Sequence, residues 1–246
     1  MPQTTQLGST EAAGNGQINA GILRFSVAYF LVTLVLLYVA APFLEHLQGG
    51  ILIDGVLMTL VLSSAVLAVS SGRRALALAL GLAIPAITAK WVSYWRPDLL
   101  PPEVSPLTGL LFVFFVVLHL FRFIRRAPRV DSEVLCASVA TYLLLGLLWG
   151  FAYLVVDRLD PEAFAFTDAS PANRSLAGFN SLYFSITTLS STGFGDIIPV
   201  SGLARILAMT ESMVGMFYMA LLISRLIGLY SSAPAEEMSD PDKAQR

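Results

Sequence analysis

The sequence predicts an all-α membrane protein: six transmembrane helices, with a short re-entrant helix and an irregular loop between the fifth and the sixth. Three observations predict it. Hydrophobic residues make up 56% of the chain and charged residues only 13%, which leaves little for a soluble domain. Six stretches stay apolar for about the 20 residues that a hydrocarbon core of roughly 30 Å requires. Between the last two lies a helix-compatible run, Phe179 to Leu189, too short to cross, followed by Ser190-Ser191-Thr192-Gly193-Phe194-Gly195-Asp196.

Taken in order, residues 1–21 are polar and rich in Gly, Thr, Gln and Asn, and read as a disordered cytoplasmic tail. They lack the basic start and early apolar core of a signal peptide. The first span runs from Ile22 to Leu44, the second from Ile51 to Ser70, and the third from Ala75 to Ser93, with Pro85 as a kink. Trp91, Tyr94 and Trp95 at the end of the third form an interfacial aromatic belt. A proline-rich loop, Arg96 to Pro106, precedes the fourth span, Leu107 to Phe121. A basic linker, Arg122 to Arg129, leads to the fifth, Val134 to Val156. Asp157 to Gly178 is polar and reads as an exposed turret, and Asn173-Arg174-Ser175 within it matches a glycosylation sequon. The sixth span is Leu203 to Tyr230. The chain thus divides into a tail (1–21), a four-helix module (22–130), a two-helix module with the re-entrant segment (131–230) and a short polar tail (231–246), expected to be cytoplasmic.

Basic residues set the orientation. Arg24, Arg73, Arg74, Arg122, Arg125, Arg126, Arg129, Arg225, Lys243 and Arg246 fall on one side of the six spans. Lys90, Arg96, Arg158, Arg174 and Arg205 fall on the other, a split of about two to one that places both termini in the cytoplasm. The expected location is the cell membrane, multi-pass, which is the inner membrane in a bacterium. The partners expected from composition are membrane lipid and no nucleic acid, since the basic clusters are short and juxtamembrane.

The loop after Leu189 carries the most specific chemistry. Non-helical backbone at membrane depth persists only where protein buries it or it lines water. Gly193 and Gly195 permit positive φ. With alternating handedness, successive carbonyls can point one way and replace the water shell of a cation. Ser191 adds a hydroxyl at the inner end of that row. The preceding helix would aim the negative end of its dipole at the axis.

Thr187-Thr188-Leu189-Ser190-Ser191-Thr192-Gly193-Phe194-Gly195-Asp196 resembles the potassium-channel pore signature, usually Thr-Thr-x-Thr-Thr-Val-Gly-Tyr-Gly-Asp. Thr187, Thr188, Gly193, Gly195 and Asp196 match; Ser190, Ser191, Thr192 and Phe194 depart. Tyr183-Phe184 corresponds to the aromatic pair of the family's pore helix, and the resemblance covers Phe179 to Tyr230. It implies a homotetramer that conducts K+ passively, with no cofactor beyond the permeant ion and no enzyme activity. It also implies a selectivity filter at Ser191, Thr192, Gly193, Phe194 and Gly195, with K+ held at the first four. Thr187, Thr188, Ser190, Asp196, Tyr183 and Glu211 are its expected support. A weakly selective cation channel is the alternative that the departures suggest. Gly193-Phe194-Gly195-Asp196 also satisfies the Gly-x-Gly-Asp motif of intramembrane aspartyl proteases, with Asp54 or Asp157 as the second carboxylate. The Tyr-Asp and Pro-Ala-Leu partners of that family are missing.

Residues outside the loop carry paired readings. Glu211, about two turns into the sixth span, either sets filter stability through pore-helix hydroxyls such as Thr187 or Thr188, or is a structural buried acid. Asp196 either braces the carbonyl row or is a solvated charge that concentrates cations. Gly215 serves as a gating hinge, as the family suggests, or as a packing point. Met219 and Ile223 fall on the inner part of the sixth span. Arg122 and Arg125 have voltage-sensor spacing, but the fourth span has no arginine within it, so weak or no voltage dependence is expected. Lys90 and Asp54 are expected to snorkel or cap. His119 reads as a helix residue, with no His or Cys cluster at metal spacing. Cys136, the single cysteine, excludes an intrachain disulfide.

Overall fold

The computed structural model describes residues 27–44, 47, 49–69, 73–127, 132–167 and 175–231. The expected N-terminal tail, residues 232–246 of the C-terminal one, Asn173 and Arg174 of the sequon, and Arg24, Arg129, Lys243 and Arg246 lie outside the described residues. Among the described residues, six helices are long and apolar enough to cross a membrane. They are α1 (Val27–Leu44), α2 (Gly50–Val69), α3 (Arg73–Trp95), α4 (Val104–Arg126), α5 (Ser132–Leu159) and α7 (Gly202–Ser231). The short helix α6 (Phe179–Leu189) has the bounds expected from sequence.

Helical periodicity decides which side of each span packs inward. On α1, Val27, Phe30, Leu34, Leu37, Ala41 and Leu44 recur every three or four residues and are buried, while Val32, Val39 and Phe43 remain exposed. In a bilayer that exposed apolar side is the lipid-facing one. Thr33 and Ser64 join α1 to α2 through their hydroxyls at 2.8 Å. The Tyr38 hydroxyl donates to the Leu143 carbonyl of α5 at 2.9 Å. Buried Ala79, Ala83, Ala86 and Ala89 give α3 a small-residue side on which neighbours approach closely. The helices from α2 to α5 pack in chain order, and α5, α6 and α7 pack on one another. Pro85 lies inside α3, which continues through it.

Three expectations are corrected. The fourth helix does not end at Phe121; it continues through Arg122, Arg125 and Arg126, with the Ala127 N–H donating to the Phe123 and Ile124 carbonyls. Arginine is a good helix former, and basic residues in the last turn complement the helix dipole. Lys90 and Asp54 do not snorkel separately: Lys90 Nζ lies 2.8 Å from Asp54 Oδ2, pairing α3 with α2. The polar stretch after α5 is not only loop, and the fold is not wholly helical. Strand β1 (Phe164–Phe166) pairs antiparallel with β2 (Ile197–Pro199), in the register Phe164 to Pro199, Ala165 to Ile198 and Phe166 to Ile197. Aromatic and β-branched residues suit such a pleated pair.

The ion pair is part-exposed, so its coupling is small, about 0.5–1 kcal/mol. Thermal unfolding in mild detergent should show Lys90→Met and Asp54→Asn each destabilising, and the double variant destabilised by less than their sum. Strict additivity would dissolve the pair.

Candidate functional site

The site is built on α6. Gly146 and Gly150 of α5, one helical turn apart, form the groove that receives it. A Cβ at Gly146 would stand 2.6 Å from Ile186 Cδ1 and 2.8 Å from the Tyr38 hydroxyl; one at Gly150 would touch Leu182 at 3.4 Å. The buried side of α6 carries Ser181, Leu182, Phe184, Ser185 and Leu189. Its aromatic pair divides in function. Phe184 packs edge-on against Tyr153 and Phe164, at 4.8 and 5.6 Å between centroids. Tyr183 stacks on Phe194 of the loop, 6.1 Å apart and within 3° of parallel, and its phenol faces the Asp196 carboxylate.

The chain leaves α6 without a helix or strand to satisfy its backbone. The Ser190 N–H donates to the Ile186 carbonyl at 3.0 Å and the Ser191 N–H to that of Thr188 at 2.9 Å. One oxygen, the Thr187 carbonyl, then accepts two donors, the N–H groups of Thr192 at 2.8 Å and Gly193 at 3.1 Å. Ser191, Gly193 and Gly195 have φ of 57°, 54° and 81°, so every second residue is left-handed. Nothing lies within 4 Å of a Cβ built on Gly193 or Gly195, so these positions need glycine for conformation rather than room. Ser191 holds its positive φ without that relief, at a cost of about 1–2 kcal/mol. The Ser190 and Thr192 hydroxyls meet at 2.9 Å, and Ser190 also donates to the Ile186 carbonyl at 2.7 Å. Within the single chain Ser190 to Gly195 are exposed.

The outer elements fasten the loop's far end. Thr167, directly after β1, donates its N–H to the Asp196 carbonyl at 2.9 Å and its hydroxyl to the Gly195 carbonyl at 3.1 Å. The Gly195 oxygen therefore has a protein partner. The Asp196 carboxylate accepts from the Ile197 N–H at 3.1 Å.

From behind, α7 supports the same segment. The Ser212 hydroxyl donates to the Thr188 carbonyl at 3.0 Å. A Cβ at Gly215 would fall 2.0 Å from the Leu189 carbonyl oxygen, so α7 crosses the end of α6 at backbone contact. Glu211 is fully buried, but it does not reach Thr187 or Thr188. Its helical phase turns it to Ser185, whose Oγ lies 2.5 Å from Oε1, and to the Tyr153 hydroxyl, which bonds Oε2. The Thr187 hydroxyl instead donates within α6, to the Phe184 carbonyl at 3.0 Å. Sequence reasoning missed Thr167, Tyr153, Ser185 and Ser212. Hydroxyl side chains within or beside apolar spans were the available signal, but no spacing rule says which of them meet. Asp54, one candidate for a second catalytic carboxylate, is engaged by Lys90 on α2 and α3.

A family model described as "Ion channel" matches residues 141–232, which run from α5 through α7. Protein LctB of Geobacillus stearothermophilus is 33% identical over 105 residues, covering 42% of this chain and 78% of that protein. Protein LctB of Bacillus caldotenax is 28% identical over the same shares. Two pore potassium channel a of Oryza sativa subsp. japonica is 31% identical over 86 residues, 35% of this chain, and this chain spans 24% of that relative's length. No solved structure matches. Six apolar helices with a loop of this kind before the last define a multi-pass membrane protein of the ion-channel class. The chain belongs to the potassium-channel pore-loop superfamily.

Two substitutions probe the supports. Gly215→Ala drives a methyl into the Leu189 carbonyl and should cost about 1–3 kcal/mol of thermal stability in detergent; an unchanged melting curve would mean α7 does not cross there. Thr167→Val loses one hydroxyl bond, about 1 kcal/mol, and should weaken sustained ion flux, with Thr167→Ser restoring it. Equal flux in Thr167→Val and wild type would remove Thr167 from the support.

Proposed function

We propose that the chain forms a potassium-selective channel as a homotetramer, conducting K+ passively through Ser191, Thr192, Gly193 and Phe194. The observation that carries this reading is the alternation of positive φ at Ser191, Gly193 and Gly195 in an exposed loop at the end of α6. Such backbone turns successive carbonyls to one side, where they can substitute for the hydration shell of a cation. One chain supplies one such row, so enclosing an ion requires several copies around an axis, and closed cyclic symmetry is the default for identical subunits.

The exposed side of α7 supports the assembly. Only 11% of its apolar window is buried within the chain, and Leu203, Ile206, Met209, Met213, Met216 and Phe217 are exposed. The re-entrant reading of α6 rests on its 11 residues. At about 1.5 Å per residue they span roughly half the hydrocarbon core of about 30 Å. In this reading residues 131–230 are the pore module and residues 22–130 a four-helix module whose fourth helix carries arginine only at its C-terminal end, at Arg122, Arg125 and Arg126, so voltage dependence is weak or absent. The distribution of basic residues puts both termini in the cytoplasm and the loop at the outer mouth. Asp196 and Tyr183 then support the outer end, Thr187, Thr188 and Ser190 the inner end, and Glu211 the rear. Gly215 acts first as the contact with α6, and any bending of α7 there must also move the filter.

The test is ion flux in reconstituted liposomes, comparing K+ with Na+ and adding Ba2+, alongside native mass measurement in mild detergent. The expected result is K+-selective, Ba2+-sensitive flux from a particle of four chains. Comparable K+ and Na+ flux would replace the proposal with a weakly selective cation channel. A stable monomer or dimer under conditions that preserve native assembly would overturn the tetramer.

A further inference from the structure

We propose that Glu211 is held as the neutral acid, and that its proton is the hydrogen that fastens α6 to α5 and α7. The argument is a count of hydrogens. Three oxygen–oxygen contacts meet at Ser185 and Glu211: Tyr153 Oη with Oε2, Ser185 Oγ with Oε1 at 2.5 Å, and Ser185 Oγ with the Gly146 carbonyl oxygen at 2.7 Å. Each contact needs one hydrogen. Tyr153 and Ser185 carry one each, and a backbone carbonyl only accepts. The third hydrogen therefore belongs to the carboxyl. The Tyr153 hydroxyl donates to Oε2, the Glu211 Oε1–H donates to Ser185 Oγ, and the Ser185 hydroxyl donates to the Gly146 carbonyl.

The surroundings favour the same species. Glu211 is fully buried, and no cationic side chain among the described residues is paired with it. An isolated carboxylate at membrane depth is costly, and a neutral acid with two partners is the inexpensive alternative. The ionisable groups that face it are phenols: Tyr38 from α1, and Tyr142 and Tyr153 from α5. From α6 it meets the Ser185 hydroxyl. None of these brings a positive charge. Ionisation would leave Ser185 with one hydrogen for two acceptors, so either the Gly146 contact or the Glu211 contact would be oxygen against oxygen. The short helix would then lose one of the two bonds that Ser185 makes to α5 and to α7. Glu211 is thus a positioning residue for the loop that α6 presents, a role that deepens the filter reading and rests on it for its effect on conduction.

The protonation state is read without conduction, so its failure is separable from failure of the channel reading. Infrared difference spectra of wild type against Glu211→Gln in lipid vesicles at neutral pH should show a protonated carboxylic carbonyl band present only in wild type. In Ser185→Ala, which removes the acceptor of the Glu211 proton, that band should shift to the frequency of a weakly bonded acid. Loss of carboxylate bands alone would overturn the neutral acid, and no shift in Ser185→Ala would overturn its bond to Ser185 and with it the fastening of α6. For the functional half, cation flux in wild type should fall as the medium is made alkaline and the proton leaves. Glu211→Gln, whose amide N–H and carbonyl reproduce the donor and acceptor of the neutral acid, should keep its neutral-pH flux through the same range. Identical alkaline profiles for the two would show that this proton does not position the loop.

Discussion

Backbone that is neither helix nor sheet has to find hydrogen-bond partners when water is scarce. The segment from Ser190 to Asp196 meets this constraint at its two ends, a third bond holds the helix end from which it leaves, and much of the rest of the chain is arranged to supply them. The end of α6 takes the first N–H groups, with the Thr187 carbonyl serving both Thr192 and Gly193. The β1–β2 ribbon brings Thr167 to the Gly195 and Asp196 carbonyls. From α7 comes the Ser212 hydroxyl, holding the Thr188 carbonyl from behind. Ser191 is left in a left-handed conformation that its side chain does not favour, and these surrounding bonds are what maintain it.

Close helix approach makes such support possible. Small residues stand wherever α6 meets a long helix: Gly146 and Gly150 on α5, and Gly215 on α7. At Gly146 and Gly215 an added Cβ would overlap Ile186, the Tyr38 hydroxyl or the Leu189 carbonyl, and at Gly150 it would touch Leu182, so the short helix sits deep between its neighbours. The buried polar groups then lie within bonding distance of one another. The Ser185 hydroxyl thus meets the Gly146 carbonyl at 2.7 Å. The four preceding helices contribute less directly. Tyr38 of α1 bonds the Leu143 carbonyl, and Arg225 near the far end of α7 bonds the Ala127 carbonyl at 2.7 Å, so the two modules are joined at separate depths.

Much of this was legible in the sequence. The spans follow from the length of apolar runs, because the bilayer fixes that length from outside. The bounds of α6 and the need for positive φ at Gly193 and Gly195 follow from local chemistry, since a run that stops at Leu189 and resumes as Gly-Phe-Gly-Asp leaves few conformations open. The length of α4 was underestimated because charge was read as a boundary, whereas arginine continues a helix readily. The ribbon was overlooked because three-residue strands carry little periodic signal, and their pairing joins positions 31 to 35 residues apart in register.

The sequence by itself determined the membrane class, the number and order of the spans, and the loop with its alternating glycines, because each depends on residues adjacent in the chain. Only the tertiary structure decided the partners: Glu211 with Tyr153 and Ser185, Thr167 with Gly195, Gly215 with Leu189, and Lys90 with Asp54. These depend on the relative rotation and depth of helices packed side by side. A turn of one residue moves a side chain by about 100° around its helix, enough to exchange Thr187 or Thr188 for Ser185 as the partner of a buried acid. Packing of small residues against larger ones sets that rotation, and it is a property of two surfaces together rather than of either stretch of sequence.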